Sequence, residues 1–151
     1  KNGTLPWRTE EIYKKLVEAF TQKAGYSRDN IKFFSSIIAH YTADAHVPFH
    51  AVINHDGQLT GQTGLHARFE SAMFERYRER LTIAPTPMTP IRDPRDFAFA
   101  TLLQSSQLVP PILKADLDAI GARADAGYED PGYVDHWRAS FARRLRPVPA
   151  T

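Results

Sequence analysis

The sequence predicts an all-α fold, and three features carry that expectation. Apolar residues recur every three to four positions along almost the whole chain, alternating strand patterns are hard to find, and Pro, Gly, Asp and Asn punctuate the periodic stretches. With 151 residues, 42% of them hydrophobic and 24% charged, residues 1–151 read as a single soluble helical domain; a disordered tail and a fibrous repeat are excluded.

The first helix begins at Pro6, a favoured first-turn residue, and places Ile12, Leu16, Val17, Ala19 and Phe20 on one face until Gly25 stops it. The second starts at the capping residues Asp29 or Asn30 and runs through Ile31, Phe34, Ile37, Ile38 and Tyr41 to about Asp44. It reads as the most apolar helix and the centre of the core. Pro48 then limits the backbone, and residues 54 to 64 hold three Gly among Asp, Asn and Gln, which makes a sharply turning loop. A third helix is predicted over 65 to 81, with Phe69, Phe74 and Tyr77, like Phe49 before them, in the core. Four Pro within residues 85 to 94 make an extended connector. A fourth helix from Arg95 to about Val109 carries Phe97, Phe99, Leu102 and Leu103, and Pro110-Pro111 should break or kink it before a stretch from Ile112 to Ile120. A fifth helix starts near Asp130-Pro131 and carries Tyr133, Trp137, Phe141 and Leu145; residues 146 to 151 read as a frayed end.

Nineteen Lys and Arg against seventeen Asp and Glu leave a net charge of +2, too small an excess to imply or exclude nucleic acid. The absence of Cys rules out disulfides, zinc ribbons and a thiolate nucleophile, so any metal must be held by His and carboxylates. The longest apolar stretch, residues 33 to 39, contains Ser35 and Ser36 and is far short of the roughly 20 residues that span a bilayer. Lys1-Asn2-Gly3-Thr4 has no apolar segment, so the expectation is that a leader was removed or that the chain is a piece of something longer.

Five of the six His fall between residues 40 and 66. His40 and Asp44 are four apart on a predicted helix, one turn from each other on the same face, and His66 and Glu70 repeat that spacing on the next helix. His50, placed after Pro48, can swing an imidazole toward either pair. Two His and one carboxylate are a ligand set for a catalytic zinc with an open position. Asp44 also ends an apolar helix, where a charge needs compensation that a cation would give. His46, facing away from the His40 and Asp44 side, reads as a surface or supporting residue, and His136 as structural. His55-Asp56 before Gly57 reads as a solvent-exposed turn. Arg68 could meet a phosphate, though a helix-surface Arg more commonly pairs with a nearby acid such as Glu75 or Glu79.

These residues resemble the superfamily of zinc-dependent phospholipases C and the single-strand-specific nucleases of fungi and plants. Its pattern is His-x3-Asp-x5-His, with Pro shortly before the last His, followed by a helix bearing His-x3-Asp or His-x3-Glu. His40, Asp44, Pro48 and His50 match the first part, His66 and Glu70 the second, and Leu5-Pro6-Trp7-Arg8 before an amphipathic helix is also similar to the family; the likeness covers roughly residues 4 to 80. It implies a mostly helical fold around three zinc ions. His50, His66 and Glu70 would form one complete zinc site, His40 and Asp44 would contribute to a second, and Asp44 would bridge to a third. Glu70 in place of Asp looks more like the bacterial phospholipase branch. The family's remaining ligands are the amino group and carbonyl of an N-terminal Trp, a nearby His, and a further Asp and His. No His precedes His40, Asp29 is the only Asp there, and the Trp7 nitrogen lies within a peptide bond. The chain is therefore expected to be the C-terminal portion of a larger enzyme, lacking its N-terminal helices, with one zinc site intact.

What the resemblance implies is hydrolysis of a phosphate ester by metal-activated water, in an extracytoplasmic or secreted protein. The substrate class stays open among phospholipid head groups, single-stranded nucleic acid and small phosphodiesters. Two alternatives stand beside it. One is a His-Asp metal-dependent phosphohydrolase with His40, His55 and Asp56 as ligands. The other is a non-catalytic helical module whose metal is structural or absent.

Overall fold

Leu5-Pro6 opens the first helix where proline costs nothing, because a first-turn N–H has no partner within the helix. The computed structural model describes residues 3–21, 27–82, 84, 87–122, 135 and 139. Among them there is helix and turn but no strand, as expected of an all-α chain. No described helix is long and apolar enough to cross a membrane. Two compact units are distinguished, Lys1–Val52 with Pro85–Gln107, and Ile53–Ala84 with Leu108–Thr151.

In the first unit, α1 (Leu5–Thr21) buries Pro6, Thr9, Ile12 and Ala19, while Lys14–Glu10 and Lys15–Glu11 pairs cover its outer face. Val17 and Phe20, expected inside, are 44% and 66% exposed. The buried stripe is narrower than the apolar one because small residues hold the contact. α2 (Ser27–His46) fully buries Ala45 alone, and Ile31, Phe34, Ile37, Ile38 and Tyr41 are half-buried. It is thus not the core's centre, nor is it the most apolar helix, a place taken by the helix Val109–Ala122. α5 (Pro94–Ser106) is started by Asp93, whose carboxylate accepts the N–H groups of Arg95 and Asp96, both at 2.9 Å, with Pro94 in the first turn. Its buried face is Ala98, Thr101 and Ser105, whereas Phe99 and Leu103 are 38% and 68% exposed. The small face lets α5 approach α2 closely, and Ser105 Oγ donates to the Ala45 carbonyl at 3.0 Å. Phe99 instead meets Trp7 edge-on, ring centroids 5.1 Å apart. After α2 a 3-10 turn (Pro48–Ala51) packs against α5 and buries Phe49 completely.

In the second unit the Gly-rich loop leads into one helical run. It comprises α3 (Leu65–Ala67), a π-helical turn (Arg68–Ala72), α4 (Met73–Tyr77) and a 3-10 turn (Arg78–Arg80). The predicted helix over 65 to 81 is present, with one widened turn in which the Met73 N–H reaches the Arg68 carbonyl. Tyr77 is buried as expected and Phe69 half-buried, but Phe74 is 55% exposed. The chain breaks at Gln107-Leu108, before the proline pair. Pro110 and Pro111 then occupy the first turn of α6 (Val109–Ala122), where their missing N–H groups are tolerated, so they start a helix and do not break one. α6 buries Val109, Ile112, Ala115, Asp116 and Ala119 along one stripe. The predicted helix from Asp130-Pro131, with Tyr133, Trp137, Phe141, Leu145 and His136, lies outside the described residues apart from Asp135 and Ala139, as do Gly25 and residues 146–151. Asp135 accepts Arg76 Nε at 3.1 Å, Arg76 Nη2 at 2.6 Å and the Tyr77 hydroxyl, contacts that hold its carboxyl down at about 2.

Candidate metal centre

Helical spacing places the first donor set. His40 and Asp44 sit one turn apart on α2, with His40 Nε2 3.4 Å from Asp44 Oδ2. Pro48 ends α2 and forces the 3-10 turn that carries His50, whose N–H bonds to the Val47 carbonyl at 3.1 Å. That turn brings His50 Nε2 to 3.9 Å from Asp44 Oδ1, so each carboxylate oxygen faces a different imidazole. Both separations exceed the 2.7–3.2 Å of a good hydrogen bond. The 3.4 Å between His40 and Asp44 matches two donors of one tetrahedral ion, which lie about 3.4 Å apart, whereas the 3.9 Å between His50 and Asp44 is wider than that. Asp44 is 24% exposed and His50 33%, whereas His40 stands out at 72%.

The second donor set is His66 on α3 and Glu70 in the π-helical turn, His66 Nε2 lying 3.0 Å from Glu70 Oε1. The backbone leading to them is held by side chains that sequence reading missed. Asp56, expected as a plain exposed turn residue, accepts the N–H of Gly64 at 2.9 Å and that of His66 at 3.3 Å. The Gly64 N–H, followed by that of His66, holds the Asp56 carboxyl below the usual carboxylate range. Gly57 has φ +75° and Gly64 φ +85°. A Cβ on Gly57 would come within 2.4 Å of the Gln62 carbonyl oxygen, so glycine is required where the loop folds back on itself.

Arg68, expected to pair with an acid on its own helix such as Glu75 or Glu79, reaches instead to Asp116 on α6 at 3.3 Å. Asp116 is fully buried and also accepts Gln62 Nε2 at 2.7 Å; Gln62 donates to the Leu113 carbonyl at 2.9 Å. Burial pushes the Asp116 carboxyl above its usual value, an effect opposed by Gln62 and Arg68. Arg68 further donates to the Thr63 and Gln62 carbonyls at 3.0 and 3.3 Å. Asp116 had a signal in the sequence, a charge inside the apolar stripe from Ile112 to Ile120, which demands a buried partner. Asp56 had none, since seven residues of irregular loop separate it from Gly64.

His46 is exposed and its Nδ1 donates to the Thr42 carbonyl at 2.7 Å, a surface role as expected. The His55 ring lies 3.2 Å from the Ile53 carbonyl. With both Asp56 oxygens engaged by backbone N–H groups, the His55-Asp56 pair works as a loop staple. Neither a protein-family model, nor a curated protein, nor a solved structure matches this chain.

Proposed function

We propose that the chain carries the metal-binding segment of a zinc-dependent phosphoesterase, with His50, His66 and Glu70 as one zinc site and His40 and Asp44 as ligands toward further ions. The observation that carries the reading is the Asp44 carboxylate, whose two oxygens each face a separate imidazole nitrogen, at 3.4 and 3.9 Å, as a bridging ligand would. The His66–Glu70 pair supports it with a second nitrogen-and-oxygen donor set of the type zinc prefers when thiolate is absent.

Held by His50, His66 and Glu70, zinc would supply Lewis-acid chemistry for hydrolysis of a phosphate ester. The chain's own residues contribute neutral imidazoles, ionised carboxylates and fixed geometry. Protons compete with a metal for such ligands, so zinc held there would be lost in acid. No protein nucleophile is required, which suits a chain without Cys. Phospholipid head groups, single-stranded nucleic acid and small phosphodiesters are the substrate classes the resemblance implies, and an extracytoplasmic location comes with it.

The test is zinc content after dialysis against metal-free buffer, measured by plasma mass spectrometry on the parent and on His50→Ala/His66→Ala, together with hydrolysis of bis(p-nitrophenyl) phosphate. About one or more equivalents in the parent, none in the double variant and zinc-dependent hydrolysis are the expected results. A parent that retains no zinc overturns the metal site, and zinc without hydrolysis overturns the enzymatic reading.

A further inference from the structure

In the first unit, an open cleft of about 370 Å³ lies beside Asp44 and His50. Arg8 and Tyr41 also line it, with Thr4 and Leu5 at the start of α1. Arg8 closes the first turn of α1, its N–H bonding to the Thr4 carbonyl at 3.0 Å. Arg8 Nη1 donates to Glu11, three residues on, and Tyr41, on α2, raises the Arg8 pKa together with Glu11. Tyr41 is half-buried, and Tyr41 and Glu11 both favour the charged guanidinium.

The chemistry of this wall differs from that of the Asp44 wall. A carboxylate and an imidazole on one side suit a cation, whereas a planar cation with donors on three nitrogens and a phenol hydroxyl on the other suit an oxyanion. An anion with one oxygen against Arg8 meets complementary charge there, and at the Asp44–His50 end it would do so only through a cation held by those two residues. A surface Arg that merely pairs with an acid along its own helix would need no cleft and no tyrosine from another helix. Glu11 lowers the net charge of the rim, so the site favours a fork-to-oxygen geometry over nonspecific attraction of anions.

We infer that Arg8, which lines this cleft with Tyr41, is its phosphate-recognition residue, binding the non-bridging oxygens of a phosphate ester next to the Asp44–His50 donors. This rests on the zinc-phosphoesterase reading for its role in a reaction, but the binding of phosphate by Arg8 is measurable without it. Arg8 and Tyr41 bind and orient the ester; they are not placed at the bond that breaks.

The experiment is a ³¹P line-broadening titration of orthophosphate into the full 151-residue chain, zinc-loaded and metal-free. The parent is compared with Arg8→Met, Arg8→Lys and Tyr41→Phe, with His46→Ala as a control outside the cleft and zinc content measured on every sample. The expected result is orthophosphate binding by the parent that falls about tenfold or more in Arg8→Met, recovers in part in Arg8→Lys, and weakens less in Tyr41→Phe. Zinc content should be the same in all of them. Binding by Arg8→Met equal to the parent's, or no binding by the parent below about 10 mM in either form, overturns the inference. Arg8-dependent binding in a chain that holds no zinc supports it while removing the metal reading, so the two failures are separable. Displacement of orthophosphate by glycerophosphocholine identifies a lipid-type ester, and displacement by a dinucleoside monophosphate a nucleic-acid one. Displacement by neither overturns the assignment to an ester.

Discussion

Asp116→Ala removes a carboxylate from the middle of a buried network, and the structure sets the size of the effect. The variant deprives Gln62 Nε2 of an acceptor at 2.7 Å and Arg68 Nη2 of one at 3.3 Å, in a place where Asp116 is 0% and the Arg68 side chain 11% exposed. Breaking a buried ion pair from one side costs about 3–5 kcal/mol. Two features reduce that figure. Arg68 keeps the Thr63 and Gln62 carbonyls and Gln62 keeps that of Leu113. The variant also sheds the desolvation of the carboxylate itself, the effect that raises the Asp116 pKa. A loss of about 2–3 kcal/mol remains. Urea unfolding followed by far-UV circular dichroism measures it, and amide exchange at Gly64, His66 and Arg68 locates it in the second unit. Asp116→Leu/Arg68→Met should recover most of the loss, because no uncompensated charge is left buried. The pH dependence has a fixed sign. Asp116 holds its proton more tightly folded than unfolded, so its contribution is fully present below the unfolded value of 3.8 and declines as pH rises through the raised folded value. A single variant within about 0.5 kcal/mol of the parent, or a double variant worse than the single one, refutes the reasoning.

Asp56→Ala should destabilise the chain by about 1 kcal/mol and weaken zinc binding by the His66 side, since it frees the N–H groups of Gly64 and His66; calorimetry and zinc titration would detect both. The lowered Asp56 pKa means that its contribution is present above 3.8 and is lost as pH falls through the folded value. Gly57→Ala should cost about 1–3 kcal/mol in thermal unfolding, because it sets a Cβ 2.4 Å from the Gln62 carbonyl oxygen at a positive φ. Ser105→Ala should cost about 1 kcal/mol in the same assay, through loss of the buried bond to the Ala45 carbonyl.

Helical periodicity and proline placement made the helices legible, and the paired His and acid spacings made the donor sets legible. What periodicity could not rank was depth. In α5 the contact face is Ala98, Thr101 and Ser105, small residues that a search for large apolar side chains passes over, and Phe99 and Leu103 on other faces drew the expectation. The same bias put Val17 and Phe20 inside. Pro110-Pro111 was read as a break because a proline inside a periodic stretch is one; only the turn at Gln107-Leu108 shows that the helix starts there. The supports of the site were hardest to read. The bonds from Asp56 to Gly64 and His66, and from Asp116 to Gln62 and Arg68, join residues far apart in sequence, and no local spacing encodes them.

The π-helical turn Arg68–Ala72 has the geometry of a single inserted residue, so it divides the helical run into two segments with independent register. From His66 on the upstream side to Glu70 within the turn, the four-residue spacing is kept. Downstream, the face that buries Tyr77 and exposes Phe74 is rotated by about 100° from where an unbroken α-helix would put it. Deleting Ser71 would close the wide turn, leave the His66-to-Glu70 spacing intact and swing Tyr77 away from Asp135. The segment can thus be retuned for packing at one end without disturbing donors at the other, an arrangement by which a helix accommodates change on one face while its chemistry stays in place.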